Sequence, residues 1–78
     1  MEKIEPSSAK EIAIESEYIT LGQFLKFAGI IHQGGEAKSY LLQNKILVNQ
    51  ADENRRGRKL RPGDDVLLPE GAFKIVSK

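Results

Sequence analysis

Residues 54–64 read N-R-R-G-R-K-L-R-P-G-D, and five of the first eight, Arg55, Arg56, Arg58, Lys59 and Arg61, are cationic. Charges this dense repel one another, and burying them carries a large desolvation cost. In a chain of 78 residues this stretch must face water or an anionic partner, so the core has to come from the flanking segments. Gly57 permits a tight bend within the run. Leu60 is its only large apolar residue and reads as an anchor into the core. Pro62-Gly63 reads as a turn: proline sets φ at the first corner, and glycine tolerates a positive φ at the second. The segment is thus a basic arm that passes through one buried residue and a turn into a strand. Charge alone leaves two readings of it, a solvated loop and a phosphate-contacting surface.

The length fits one small domain, which buries only about 60% of the surface its unfolded chain exposes. There is no cysteine and one histidine, so neither disulfides nor a thiolate metal site can brace it. Apolar runs are only a few residues long, far short of the ~20 that span a bilayer. Residues 1–10 carry no apolar stretch of the signal-peptide kind. The expectation is a cytoplasmic protein with no membrane contact, no cofactor and no metal. A net charge of +1 hides an uneven distribution. Residues 1–19 hold five acids against Lys3 and Lys10, whereas residues 20–78 hold ten Lys and Arg against six acids. The distribution, more than the total, bears on the choice of partner.

Taken in order, residues 1–10 read as a flexible polar tail and residues 11–78 as the folded domain. Ile12 and Ile14 alternate with charged and small residues in strand fashion. Ala9, Ile12, Ala13 and Ser16 fit a helix as well, with Ser8 and Glu11 as a capping box. Thr20 and Gln23 have capping-box spacing, and Leu21, Phe24, Leu25 and Ala28 form one apolar face, so a helix starts at Thr20. Gly29 ends it in a left-handed conformation. A polar turn, His32-Gln33-Gly34-Gly35, leads to a second helix over 36–43. Its buried face is Ala37, Tyr40 and Leu41, with Leu41 opposite Leu25, and Asn44 reads as a left-handed stop. A strand around Ile46 and Val48, a turn at residues 50–53, the basic arm, a strand at 66–68, a turn at 69–71 and a last strand at 73–76 complete the chain. The order is (β)ααβ(β)ββ, an α+β class.

Several of these segments together resemble the S4 RNA-binding domain. Leu21 and Leu25 match its first helix and Gly29 the glycine that follows. Ala37-Lys38 match the opening of its second helix, Ile46-x-Val48-Asn49 its strand, and Gly63-Asp64-x-Val66 its later strand. The match covers residues 18–68, and with I-T-L-G-Q-F-L-K and N-R-R-G-R-K-L the chain is similar to the small standalone bacterial S4 proteins of YaaA-like type. The chain departs from the pattern at Thr20 and Gly34, where a basic residue is usual, and at Asn44 and Gln50, where glycine is usual. The resemblance implies an S4-like (alpha-L) fold, a two-helix hairpin packed on a small mixed or antiparallel sheet. It also implies that residues 11–15 form a strand joining the C-terminal strands. It further implies a surface shared by both helices and the adjacent strand turn, so Lys26 and Lys38 would join the arm. The expected RNA-contacting residues are Lys26, His32, Gln33, Lys38, Arg55, Arg56, Arg58, Lys59 and Arg61.

Other candidates carry less. Gly34-Gly35 could offer N–H groups to a phosphate or be ordinary turn chemistry. Lys38-Ser39 lacks the preceding glycine of a P-loop. Asp52-Glu53 and Asp64-Asp65 lie at turns and not across a pocket, so they read as structural and not as acid–base pairs. The aromatic residues read mostly as core and not as a stacking platform. The expectation is a non-catalytic, ribosome-associated monomer without a small-molecule substrate that binds structured RNA, ribosomal or tRNA-like. The alternatives are an adaptor that docks an acidic protein through the arm, and DNA binding, because phosphate contacts do not distinguish the nucleic acids.

Overall fold

The computed structural model describes residues 9–78. Of the expected tail only Ala9 and Lys10 fall among them, and Lys10 already belongs to β1 (Lys10–Ile14). β1 runs parallel to β7 (Gly71–Ser77), with Ile12 beside Ile75. That pairing resolves the helix-or-strand ambiguity: alternation buries Ile12 and Ile14 together against the core, which a lone amphipathic turn could not do.

α1 (Leu21–Phe27) opens with the expected reciprocal cap. The Thr20 hydroxyl accepts from Gln23 N–H at 3.2 Å, and Gln23 Oε1 accepts from Thr20 N–H at 2.9 Å. Gly29 follows at φ 78°, the left-handed exit that favours glycine. α2 (Glu36–Gln43) ends differently from the expectation. Asn44 is extended, at φ −129° and ψ 148°. Its backbone N–H and its side-chain amide both donate to Tyr40 O at 3.0 Å. The side chain thus satisfies the helix end that a left-handed residue would otherwise have closed.

β3 (Leu47–Val48) and β4 (Ala51–Asp52) form a short hairpin. The turn falls at Asn49-Gln50 and not at 50–53, with φ 53° and 71°. Two positive φ values give a type I′ corner, whose twist matches that of the strands it joins. Asn49 is held there by its side chain: Nδ2 donates to Asp64 Oδ1 at 3.1 Å, and Oδ1 accepts from Asp65 N–H at 2.9 Å. β6 (Asp65–Leu68) pairs antiparallel with β3 and with β7, giving the sheet order β1-β7-β6-β3-β4. Among the described residues only the β1–β7 pair is parallel, so the sheet is mixed.

A second, two-stranded ribbon was not foreseen. β2 (Ile19–Thr20) pairs antiparallel with β5 (Lys59–Leu60), joining the exit of the basic arm to the entrance of α1. The core is one cluster in which Leu21, Phe24, Leu25, Leu41, Ile46, Val48, Leu60, Val66 and Ile75 are buried. Phe24 meets Phe73 edge to face, centroids 5.4 Å apart, a favoured aromatic geometry. Leu60 is fully buried, as its isolation among cations suggested. Tyr18 and Phe27, by contrast, stand outside the core at 37% and 66% exposure.

Candidate nucleic-acid interface

The basic arm is held in place by backbone hydrogen bonds. Arg58 N–H donates to Arg55 O at 3.1 Å, closing a turn around Arg56 and Gly57. Leu21 N–H donates to Arg58 O at 2.8 Å, and Gly22 N–H to Arg56 O at 2.9 Å. With Gln23 N–H on Thr20, these bonds satisfy donors that the first turn of a helix leaves without an intrahelical partner. The start of α1 is therefore closed by the arm. A Cβ built on Gly22 would lie 3.4 Å from Arg56 O and 3.6 Å from Ala37 Cβ. The arm, the start of α1 and the start of α2 thus converge at Gly22. Lys38 follows Ala37 directly, and Lys26 lies one turn beyond Gly22 on the same stripe of α1.

The five arm cations are not equivalent. Glu53, its side chain only 7% exposed, accepts from Arg55 Nε at 2.9 Å, Arg55 Nη2 at 3.2 Å and Arg58 Nη1 at 3.3 Å. Arg55 N–H donates to the same carboxylate at 3.1 Å. The Arg55 guanidinium, followed by its backbone N–H and the charge of Arg58, holds the Glu53 carboxyl down to about 2. Glu53 in turn raises the pKa of Arg55. Arg58 is partly covered and Arg55 is exposed but engaged.

Elsewhere Lys45 pairs with Asp52, Lys74 with Asp65 and Lys78 with Glu15. Among the described residues the cations without a carboxylate partner are Lys10, Lys26, Lys38, Arg56, Lys59 and Arg61. All but Lys10 were expected to contact RNA. Lys59 and Arg61 instead lean over the Tyr18 ring, at 4.9 and 5.7 Å from its centroid.

His32 and Gln33 are exposed on the loop before α2. Their backbone N–H groups donate to Glu36 Oε1 at 2.8 and 3.3 Å, and these bonds, His32 first, hold the Glu36 carboxyl below its usual range. Glu36 and Ala37 N–H donate back to Gln33 O and Gly34 O. These bonds form an ordinary helix-entry turn and engage the Glu36 and Ala37 N–H groups.

The paired carboxylates are structural. Asp64 accepts from Arg61 N–H at 2.8 Å and from Asn49, Asp65 meets Lys74 and Asp52 meets Lys45. The Tyr40 hydroxyl donates to Glu70, and burial, with Glu70 adding to it, pushes the phenol pKa up. Among the described residues no three His, Asp or Glu side chains converge as metal ligands, and no helix is long and apolar enough to cross a membrane.

Sequence reading missed Glu53 as a clamp and the ribbon that brings Tyr18 to the arm. The Glu53-x-Arg55 spacing was visible, but which carboxylate would turn inward was not.

A family model described as "S4 domain" matches residues 12–76. The chain is also 50% identical over 70 residues to a Bacillus subtilis (strain 168) protein described as "Probable ribosome maturation protein RlbA". That alignment spans 88% of this chain and 99% of the relative.

Proposed function

Because the chain belongs to the S4 RNA-binding domain family, we propose that it binds structured ribosomal RNA as a non-catalytic monomer and acts in ribosome maturation. One observation carries this reading. Lys26, Lys38, Arg56, Lys59 and Arg61 have no carboxylate partner among the described residues. The arm, α1 and α2 that bear them meet at Gly22. Cations left unpaired next to RNA gain affinity by releasing counterions, without needing base contacts. The name of the Bacillus relative directs the choice toward ribosomal RNA over a tRNA-like ligand. Arg55 and Arg58, tied to Glu53, play the smaller part, as do His32 and Gln33.

The test is affinity for a structured ribosomal RNA fragment, measured at several salt concentrations. The double variant Lys38→Ala, Arg56→Ala is expected to flatten log affinity against log salt by roughly 1.5, at about 0.7–0.9 for each phosphate left without its cation. Lys74→Ala, whose lysine is paired with Asp65, serves as control and should leave the slope unchanged. An unaltered slope in the double variant, with Lys74→Ala the more damaging, would move the binding face off the arm. Retention on an acidic protein as strong as on RNA at equal salt would favour the adaptor.

A further inference from the structure

Beside the arm lies an open hollow of about 780 Å³, and Ile14, Ile19, Tyr18, Phe27, Glu17 and Gln23 are among the residues that line it. It is of ligand size, and its two rings are the exposed aromatics Tyr18 and Phe27. The ribbon explains how Tyr18 arrives there. Ile19 and Leu60 are paired across β2 and β5, and Leu60 is buried. The residues flanking that pair, Tyr18 just before β2 and Lys59 and Arg61 on either side of Leu60, lie on the opposite face from Ile19 and Leu60, because side chains alternate along an extended chain. Both cations sit within reach of the Tyr18 ring. Tyr18 thus has a double position, lining the apolar hollow and bearing two arm cations that have no carboxylate partner among the described residues.

We propose that this hollow receives one unpaired nucleotide of the bound RNA, its base against Tyr18 and Phe27 and its phosphate on Lys59 and Arg61. The inference rests on the RNA-binding reading above and adds a subsite to it. Unstacked bases are held by aromatic faces and guanidinium planes, and their phosphates by adjacent cations. The charges on the hollow fit that order. Lys59 and Arg61 stand just outside its lining and reach it across the Tyr18 ring. Farther round, Glu15 is neutralised by Lys78 at 3.1 Å, which leaves Glu17 as an acceptor for the amino or imino edge of a base. Gln23 Oε1 is committed to Thr20 N–H, so its amide nitrogen is the group left to donate. A purely apolar peptide segment would use the rings but would leave the two cations without a counterpart. Continuity with the basic face therefore favours a nucleotide.

The test compares two RNA hairpins of the same stem, one with a single-nucleotide bulge carrying a fluorescent adenine analogue and one without the bulge. The full chain should prefer the bulged hairpin and quench its fluorophore. Phe27→Ala, at an exposed position with little cost to the fold, should reduce that preference about tenfold, the scale of one base–aromatic stack. It should leave the salt slope unchanged, because Phe27 carries no charge to neutralise a phosphate. Phe27→Trp, which keeps a ring, should restore the preference, and Tyr18→Ala, which removes the ring that Lys59 and Arg61 lean on, should lose both the preference and part of the salt slope. If the natural chain binds both hairpins equally and Phe27→Ala is indistinguishable from it, the subsite is overturned while RNA binding stands. If the natural chain binds neither hairpin nor any ribosomal RNA fragment, the RNA-binding reading fails and this one with it. If Phe27→Ala keeps both RNA affinities but no longer associates with ribosomal particles, the hollow belongs to a protein partner and the nucleotide is overturned.

Discussion

Glu53→Gln should destabilise the protein and at the same time steepen the salt dependence of its RNA binding. The carboxyl sits at about 2 in the folded chain against an ordinary value of 4.5. A folded-state pKa below the unfolded one contributes stability that is fully present above about pH 4.5 and is lost as pH falls toward 2. The gap sets a ceiling of about 3 kcal/mol. Arg55 is 72% exposed, however, so water screens its share and about 1–2 kcal/mol is the expected loss. For a domain of this size that lowers Tm by roughly 4–16 °C. Thermal melts of both proteins from pH 7 down to 2 provide the assay: the difference between them should be constant above pH 5 and vanish at the acid end. The same substitution releases Arg55 and Arg58, and if both then reach phosphate the salt slope becomes steeper by about 1.5. Equal melts across the whole range, or a shallower slope, would refute the clamp.

Two further outcomes concern the fold. Leu25→Ala, at a fully buried position of α1, should cost about 2–5 kcal/mol; an unchanged denaturation midpoint would mean that the helix packs on another face. Gln50→Gly should stabilise by up to about 1 kcal/mol, because relief of a left-handed φ of 71° outweighs the entropy that glycine adds to the unfolded chain; urea titration would read the change, and a loss of stability would place the strain elsewhere.

The parts of the fold that were legible in the sequence are those that local chemistry fixes. The Thr20–Gln23 cap and the Gly29 exit follow from spacing and from the absence of a Cβ, and Leu60 had to be buried because nothing else in the arm could be. The Asn49-Gln50 corner escaped because neither residue is glycine. What holds Asn49 left-handed is Asp64 and Asp65, which lie far along the chain. Lys10–Ile14 was undecidable from its own residues because its partner strand is at the other end of the sequence. In the candidate interface, the cationic residue types could be read directly, but their availability could not. Arg55 is exposed, as the charge of the arm required, yet it also neutralises a largely buried carboxylate. The ties from Arg56 O and Arg58 O to α1 run through backbone carbonyls, which every residue has and no motif reveals.

The parallel pairing of β1 with β7 joins Lys10 to Phe73 across more than sixty intervening residues. Every other strand pair of the five-stranded sheet closes a far shorter loop, and the β6–β7 hairpin closes the chain almost on itself. Loop-closure entropy grows with the length enclosed, so β1 is expected to join last, after the helices and the hairpins have condensed. None of Lys26, Lys38, Arg56, Lys59 and Arg61 lies on β1. The surface they form would then be assembled before the sheet is complete, and β1 would act as a latch that secures a face already in working order.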